Sequence, residues 1–349
     1  MKKIFVLIFS AVLTGGLFIS CKKYKDEFYG PALGIAPEDF SISGFDVSDD
    51  MPNFASQTVY FQSTFNATVR WTIVITGEYG AIKRMEGVSS ELNADNASWD
   101  GSTDTIKLFR SGENVTATLS ILGWPQTYTT TLEIGAEKYR GYVLGKFDNI
   151  SVNTMAKNFQ DPTSYWWYYS GDGNEVSVDK IADAGTPQGE HSLRIYGVDQ
   201  NMNYYVGGPG LSAPSPGRFN FGAVTLNDFY INLYVKGAGS SPEKDYKLVV
   251  QTYEDDDLND TIYYDGSEDK YVSTISLKFD GWKLFSLKYS TFSLEDPLPS
   301  NTYRSHSPDR IANISMFIGA NTAAGLSNTA LIDTQIDYLT VTTNGPMKP

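Results

Sequence analysis

No stretch of this sequence keeps an apolar period of 3.6 residues for three turns, and that absence narrows the fold more than any motif does. In its place stand short runs in which β-branched and aromatic residues alternate or cluster, such as Val59-Tyr60-Phe61-Gln62-Ser63, Val69 to Ile75 and Ala117 to Ile121. Gly, Pro, Asn and Asp separate them, as turns require. Successive side chains of a strand point to opposite faces, so each such run can bury one face against a partner layer. The chain after its first residues is therefore expected to be all-β.

The N-terminus reads differently. Met1-Lys2-Lys3 is positive, Ile4 to Phe18 is apolar, and Lys22-Lys23-Tyr24-Lys25-Asp26-Glu27 ends the run at once. A membrane-spanning helix needs about 20 apolar residues, so residues 1–20 are predicted to be an export signal rather than a span. Leu17-Phe18-Ile19-Ser20-Cys21 resembles the bacterial lipobox, which implies cleavage before Cys21 and acylation of its thiol. Cys21 is the only cysteine, so it cannot serve an internal disulfide. Several acyl chains hold a protein stably where one does not. Residues 21–35 are expected to be the lipidated cysteine and a short tether, placing the protein on the outer membrane. The charges of Lys22 to Glu27 lean toward the cell surface and leave the periplasmic face open.

Charge removes one class of partner. The chain carries a formal net charge of −14, with 14 acidic against 7 basic residues over 30–140 and 25 against 15 over 141–349. Neither part offers a basic surface, which argues against nucleic acid and against docking of the folded part on anionic lipid. Tyr is abundant at 23 residues and His scarce at 2, a balance suited to stacking on sugars more than to metal or acid-base chemistry. Tyr is equally at home in any sheet.

Two regions carry family resemblances. Trp99-Asp100-Gly101-Ser102, then Phe109 to Glu113 and Val115 to Leu119, resembles an Ig-like module, implying an Ig-like β-sandwich over residues 36–139 that acts as a spacer. Further on come Gly145-Lys146-Phe147-Asp148, Tyr165 to Tyr169, Gly189 to Ile195, Asp228 to Gly237, Tyr246 to Asp255, Asp280 to Leu287, Ile314 to Gly319 and Leu331 to Val341. In that order they resemble the galactose-binding-like jelly roll of many carbohydrate-binding modules. The resemblance implies a larger jelly roll over residues 142–343. Trp282 is expected in its core, and the closing strand is expected to send Ile336, Tyr338 and Thr340 to one face.

The same resemblance implies a structural Ca2+ where the first and last strands meet, with Asp148 and Asp337 as the carboxylates. Calcium takes six to eight oxygens, so backbone carbonyls would have to supply the rest; two turn-capping aspartates are the alternative. Glu254-Asp255-Asp256-Asp257-Leu258-Asn259-Asp260 starts with calcium-loop spacing but lacks the turn glycine and the closing glutamate, and reads as an exposed acidic loop. No other cofactor is indicated.

For a carbohydrate ligand the candidates are Trp166, Trp167, Tyr168 and Tyr169, about half of which must face the core, together with Tyr204, Tyr205, Gln251, Tyr253, Tyr263, Tyr264 and Arg304. Signatures of zinc peptidases, serine hydrolases, phosphate-binding loops and dinucleotide folds are absent. His191 and His306 have no metal-like companion in the sequence. The leading expectation is a non-catalytic, lipid-anchored glycan-binding protein, with surface glycan-uptake proteins as possible partners. A structural or protein-binding envelope lipoprotein is the second reading and a glycan-active enzyme the third, since 41 acidic residues leave room for a carboxylate pair.

Overall fold

The computed structural model describes residues 37–148, 166–170, 175–198, 207–213, 217–239, 246–255, 268–295, 306–320 and 331–349. The described chain is all-β, and its sheets are antiparallel throughout. It divides into two compact units. Residues 82–101 and 111–136 belong to the first along with everything up to Glu78, while 79–81, 102–110 and 137–349 belong to the second.

The first unit is built on one long strand. β1 (Asp46–Val47), β2 (Val59–Gly77), β3 (Ile82–Leu92), β4 (Ser98–Trp99), β5 (Asn114–Ile121) and β6 (Thr127–Glu133) form a six-stranded sheet. β2 pairs with β1, β3, β4 and β5, and β6 adds to β5. Alternation decides what is buried. Phe61, Val69, Trp71, Ile73 and Ile75 of β2 and Val115, Ala117, Leu119 and Ile121 of β5 are all buried, while Thr76 and Thr116 between them are exposed. Each such side chain taken from water contributes about 1.5–3 kcal/mol. The Trp-Asp-Gly turn has a packing reason: Trp99 meets Phe54 edge-on at 4.6 Å, and Gly101 adopts φ 78°, where a Cβ would press on the Phe54 ring. All six strands connect through β2, and an Ig-like pairing of two separate sheets stays an expectation.

The second unit is a sandwich of two six-stranded sheets. One is ordered β15 (Trp282–Lys288), β12 (Tyr230–Lys236), β18 (Leu331–Thr342), β10 (His191–Val198) and β9 (Glu175–Ala182), with β7 (Tyr142–Gly145) also on β18. The other is ordered β16 (Ser293–Leu294), β14 (Asp269–Ser276), β13 (Tyr246–Glu254), β17 (Ile311–Ala320), β11 (Gly207–Ser212) and β8 (Trp166–Ser170). Between them lies a core that includes Ile231, Leu233 and Val235 of β12, Leu248 and Val250 of β13, and Ile314, Met316 and Ile318 of β17.

Two details differ from the expectation. Ile336, Leu339 and Val341 face the core, because Tyr338 takes φ 49° and inserts a bulge. That left-handed residue shifts the alternation, so Tyr338 and Thr340 leave the side that Ile336 keeps. Trp282 is also not in the main core. It packs on the opposite face of the β12 sheet in a smaller cluster of Leu108, Tyr234, Tyr338, Met347 and Leu284. Leu108 comes from the 102–110 segment, whose Leu108 N–H donates to Pro187 O at 2.9 Å and whose Lys107 Nζ donates to Thr186 O at 2.7 Å.

Candidate functional site

Leu108 and Met347 cover part of the outward face of the β12 sheet, so the outward face of the β13 sheet is the one to read for a ligand. Tyr246, Leu248 and Val250 belong to the core, and alternation sends Lys247, Val249, Gln251 and Tyr253 the other way. By the same rule Asn313, Ser315 and Phe317 of β17 turn away from the core-facing Ile314, Met316 and Ile318. Register then aligns positions far apart in the chain. Trp167 lies opposite Gly210, Gly210 opposite Ser315, Ser315 opposite Gln251, and Gln251 opposite Val272, one transverse row across five strands. The adjacent row runs Ser212, Asn313, Tyr253, Lys270.

These polar groups are tied to one another. Ser315 Oγ donates to Asn313 Oδ1 at 2.6 Å, Asn313 Nδ2 donates to Ser212 Oγ at 3.0 Å, and Gln251 Nε2 donates to a Glu295 carboxylate oxygen. Lys270 Nζ sits 5.5 Å from the Tyr253 ring centroid. Gln251, Asn313 and Ser315 are 3% exposed or less although they face away from the core. These buried amides and hydroxyls are satisfied by one another, as buried polar groups must be.

The sequence candidates fall into three groups. Gln251 and Tyr253 lie on this face. Trp166 does not: it is 2% exposed and meets Phe147 edge-on at 5.2 Å in the core, which withdraws it from any ligand-facing set. Gly145 makes room for that pair, since a Cβ there would come within 2.8 Å of the Trp166 ring. The backbone of Trp167, Tyr168 and Tyr169 runs in β8 opposite Gly210, Pro209 and Gly208. Their side chains, and all of Cys21, Tyr204, Tyr205, Tyr263, Tyr264 and Arg304, lie outside what is described. Ser212, Asn313, Ser315 and Glu295 were not among the candidates. Asn313 and Ser315 had a signal, two polar residues spaced by two within the apolar run Ile311–Ala320.

Asp148 and Asp337 are both near residues 188–191. Asp148 Oδ1 accepts the N–H groups of Glu190 and His191, each at 2.9 Å, and lies 3.1 Å from His191 Nδ1. Asp337 is fully buried; its Oδ2 accepts the Gln188 N–H at 2.9 Å and its Oδ1 the Tyr338 N–H at 2.7 Å. Burial pushes the Asp337 carboxyl up to about 8, with Asp148 adding to the rise against the two N–H groups and Arg110. Gln188 Oε1 is buried without a hydrogen-bond donor. No group of three or more His, Cys, Asp or Glu that could hold a metal occurs among the described residues. Both carboxylates accept backbone N–H groups, as turn-capping aspartates do.

The start of the acidic segment is not the exposed loop expected. Glu254 is fully buried and accepts Tyr289 Oη at 2.9 Å, the Ser307 N–H at 2.8 Å and Arg310 Nη2 at 2.8 Å. His306 Nδ1 lies 2.9 Å from Glu254 Oε1, outside hydrogen-bonding alignment, while its Nε2 is 2.9 Å from Tyr289 O. A buried carboxylate persists where cations and donors saturate it, and Tyr289, Ser307 and Arg310 do so here. Asp255 is buried as well, with Arg218 3.9 Å away. Asp256 to Asp260 lie outside the described residues.

No described protein family and no curated protein matches the chain. Among solved structures it is similar to the family 11 carbohydrate-binding module of the cellulosomal cellulase Lic26A-Cel5E of Clostridium thermocellum, at 17% identity and a TM-score of 0.36 over 56% of this chain and 96% of that one. A carbohydrate-binding module of the β-sandwich superfamily matches at 11% identity and 0.35 over 88% and 99%. The tandem CBM22-1-CBM22-2 domains of Paenibacillus barcinonensis Xyn10C match at 10% and 0.30 over 89% and 94%. Likeness at these scores concerns the arrangement of strands and assigns no ligand.

Proposed function

We propose that the second unit is a glycan-binding module and that its ligand lies across the outward face of the β13 sheet. The observation that carries this reading is the transverse row from Trp167 through Gly210 and Ser315 to Gln251, flanked by Asn313 and Tyr253. It lines up an aromatic position with amide and hydroxyl groups, the combination that recognises a pyranose. The chain is held at the outer membrane by a lipid on Cys21 and presents the module at the cell surface to proteins that take up glycans. The signal-like residues 1–20 and the single cysteine at the lipobox-like position support that placement. The first unit serves as a spacer of Ig-like type, and the protein holds glycan without cleaving it.

Affinity electrophoresis of the chain lacking residues 1–21, in gels cast with different soluble polysaccharides, tests the site. The chain is expected to be retarded by at least one of them, and Trp167→Ala and Gln251→Ala to lose that retardation while keeping the native circular dichroism. Unretarded migration in every gel would count against glycan binding and for a protein-binding role.

A calcium ion held by Asp148 and Asp337, with the Gln188 amide oxygen as a further donor, is part of the same proposal. Its role would be to hold the chain just after β7 against the middle of β18, and it would supply no chemistry to the ligand face.

A further inference from the structure

β6 closes one side of the first unit's sheet: among the described residues it pairs only with β5. Which of its backbone groups face outward follows from two hydrogen bonds. The Ile134 N–H donates to Glu113 O at 2.9 Å, on the β5 side, and the Glu133 N–H donates to Asp50 O at 2.9 Å, on the other. Backbone groups alternate in direction along a strand, so the N–H and C=O of Thr127, Thr129 and Thr131 point away from β5, as those of Glu133 do. The side chains of these three threonines are exposed, and no partner for their outward backbone groups occurs among the described residues. A free edge is a template for another strand, and proteins usually blunt it with charge, proline or a bulge. Thr127-Tyr128-Thr129-Thr130-Thr131 has none of these, and its residue types favour an extended strand.

We infer that β6 is a homodimer interface, pairing antiparallel with β6 of a second copy about a twofold axis at Thr129. In that register the two copies of Thr129 exchange a pair of hydrogen bonds, and so do Thr127 of each copy and Thr131 of the other. Every outward N–H and C=O of the three threonines is then matched. The end of the pairing fits as well. Glu133, whose N–H is already engaged by Asp50, falls opposite Pro125 of the other copy, which has no N–H to donate, so neither position leaves an amide hydrogen unmatched. A second copy is the occupant because the strand is complementary to itself under a twofold rotation, the property an isologous interface demands. Thr127 to Thr131 are also uncharged in a chain of net charge −14, so the paired segments meet without opposing like charges.

Sedimentation equilibrium of the full chain with Cys21→Ser tests this and is expected to show a concentration-dependent dimer. Thr129→Pro removes an outward N–H from each copy at a position where an edge strand tolerates proline. It should weaken association roughly tenfold while the circular dichroism stays native. Thr129→Lys sets like charges opposite each other, and Thr129→Glu does the same with the other sign. Each alone should be monomeric, and an equimolar mixture of the two should dimerise, a recovery that misfolding does not produce. Register is read with cysteines. Residues facing each other in a hydrogen-bonded antiparallel pair have Cα atoms about 5.5 Å apart, within disulfide reach. Thr129→Cys should therefore cross-link on mild oxidation, and Thr131→Cys, which faces Thr127 of the other copy, should not. A monomer at every concentration, a dimer indifferent to Thr129→Pro and Thr129→Lys, or cross-linking at 131 and not at 129 would overturn the assignment. Retention on glycan gels is a separate readout, so failure here leaves the glycan reading standing.

Discussion

Asp337 shows how one side chain can make stability depend on its surroundings. Unfolded, an aspartate titrates near about 3.9. Folded, Asp337 is pushed up to about 8 by burial. Between those values the folded chain holds a proton that the unfolded chain has released, so stability is full below the lower value and falls as pH rises through the upper. In chelator, the urea midpoint of the wild type is expected to drop between pH 5 and pH 8, and that of Asp337→Asn to change much less. Calcium favours the ionised carboxylate and should restore the wild-type midpoint at pH 8, leaving the variant unmoved. A calcium effect of equal size in both proteins would sink the metal assignment.

At the scale of elements, the small cluster outside the β12 sheet is the most exposed to a single change. Met347 closes it from the C-terminal side: its N–H donates to Asn232 Oδ1 at 3.1 Å and its side chain packs with Leu108, Tyr234 and Tyr338. Met347→Ala should cost about 2 kcal/mol, the low end for a buried methionine because a tail can shift to fill space, and guanidinium unfolding would measure it. This cluster also marks where sequence reading stops. The strands β12 and β13 were legible because β-branched and aromatic residues fill them and core-facing apolar residues recur at every second position, Ile231, Leu233 and Val235 in one and Tyr246, Leu248 and Val250 in the other. β18 was legible as a strand, but its faces were not, since nothing in Asp337-Tyr338-Leu339 announces a left-handed tyrosine. Glu254 looked like a solvated acid because the residues that neutralise it, Arg310 and Ser307, are more than fifty positions away. Of the candidate site, Gln251 and Tyr253 could be named from residue type and strand position. The row that joins Gln251 to Trp167 could not, because it depends on the registers of three successive strand pairs.

For the molecule as a whole, the chain order and the packing order differ. Residues 102–110 lie between β4 and β5 of the first unit in sequence, yet Leu108 sits in a cluster of the second. A fragment of residues 137–349 would carry both sheets of the sandwich and lack Leu108 and Lys107. It should unfold at a lower denaturant concentration than the same unit does within the intact chain, as followed by the near-ultraviolet signal of its buried tyrosines. Equal midpoints would mean that the segment adds nothing to the unit it packs on.

Gly210 occupies the place in the transverse row where a side chain would otherwise stand between position 167 and Ser315. Strands lie about 4.8 Å apart, so the backbone at position 167 and that at Ser315 stand about 10 Å apart across Gly210. Under the glycan reading proposed above, the size of the residue at 210 would set how closely a polymer approaches β11, separately from the amide and hydroxyl network beside it.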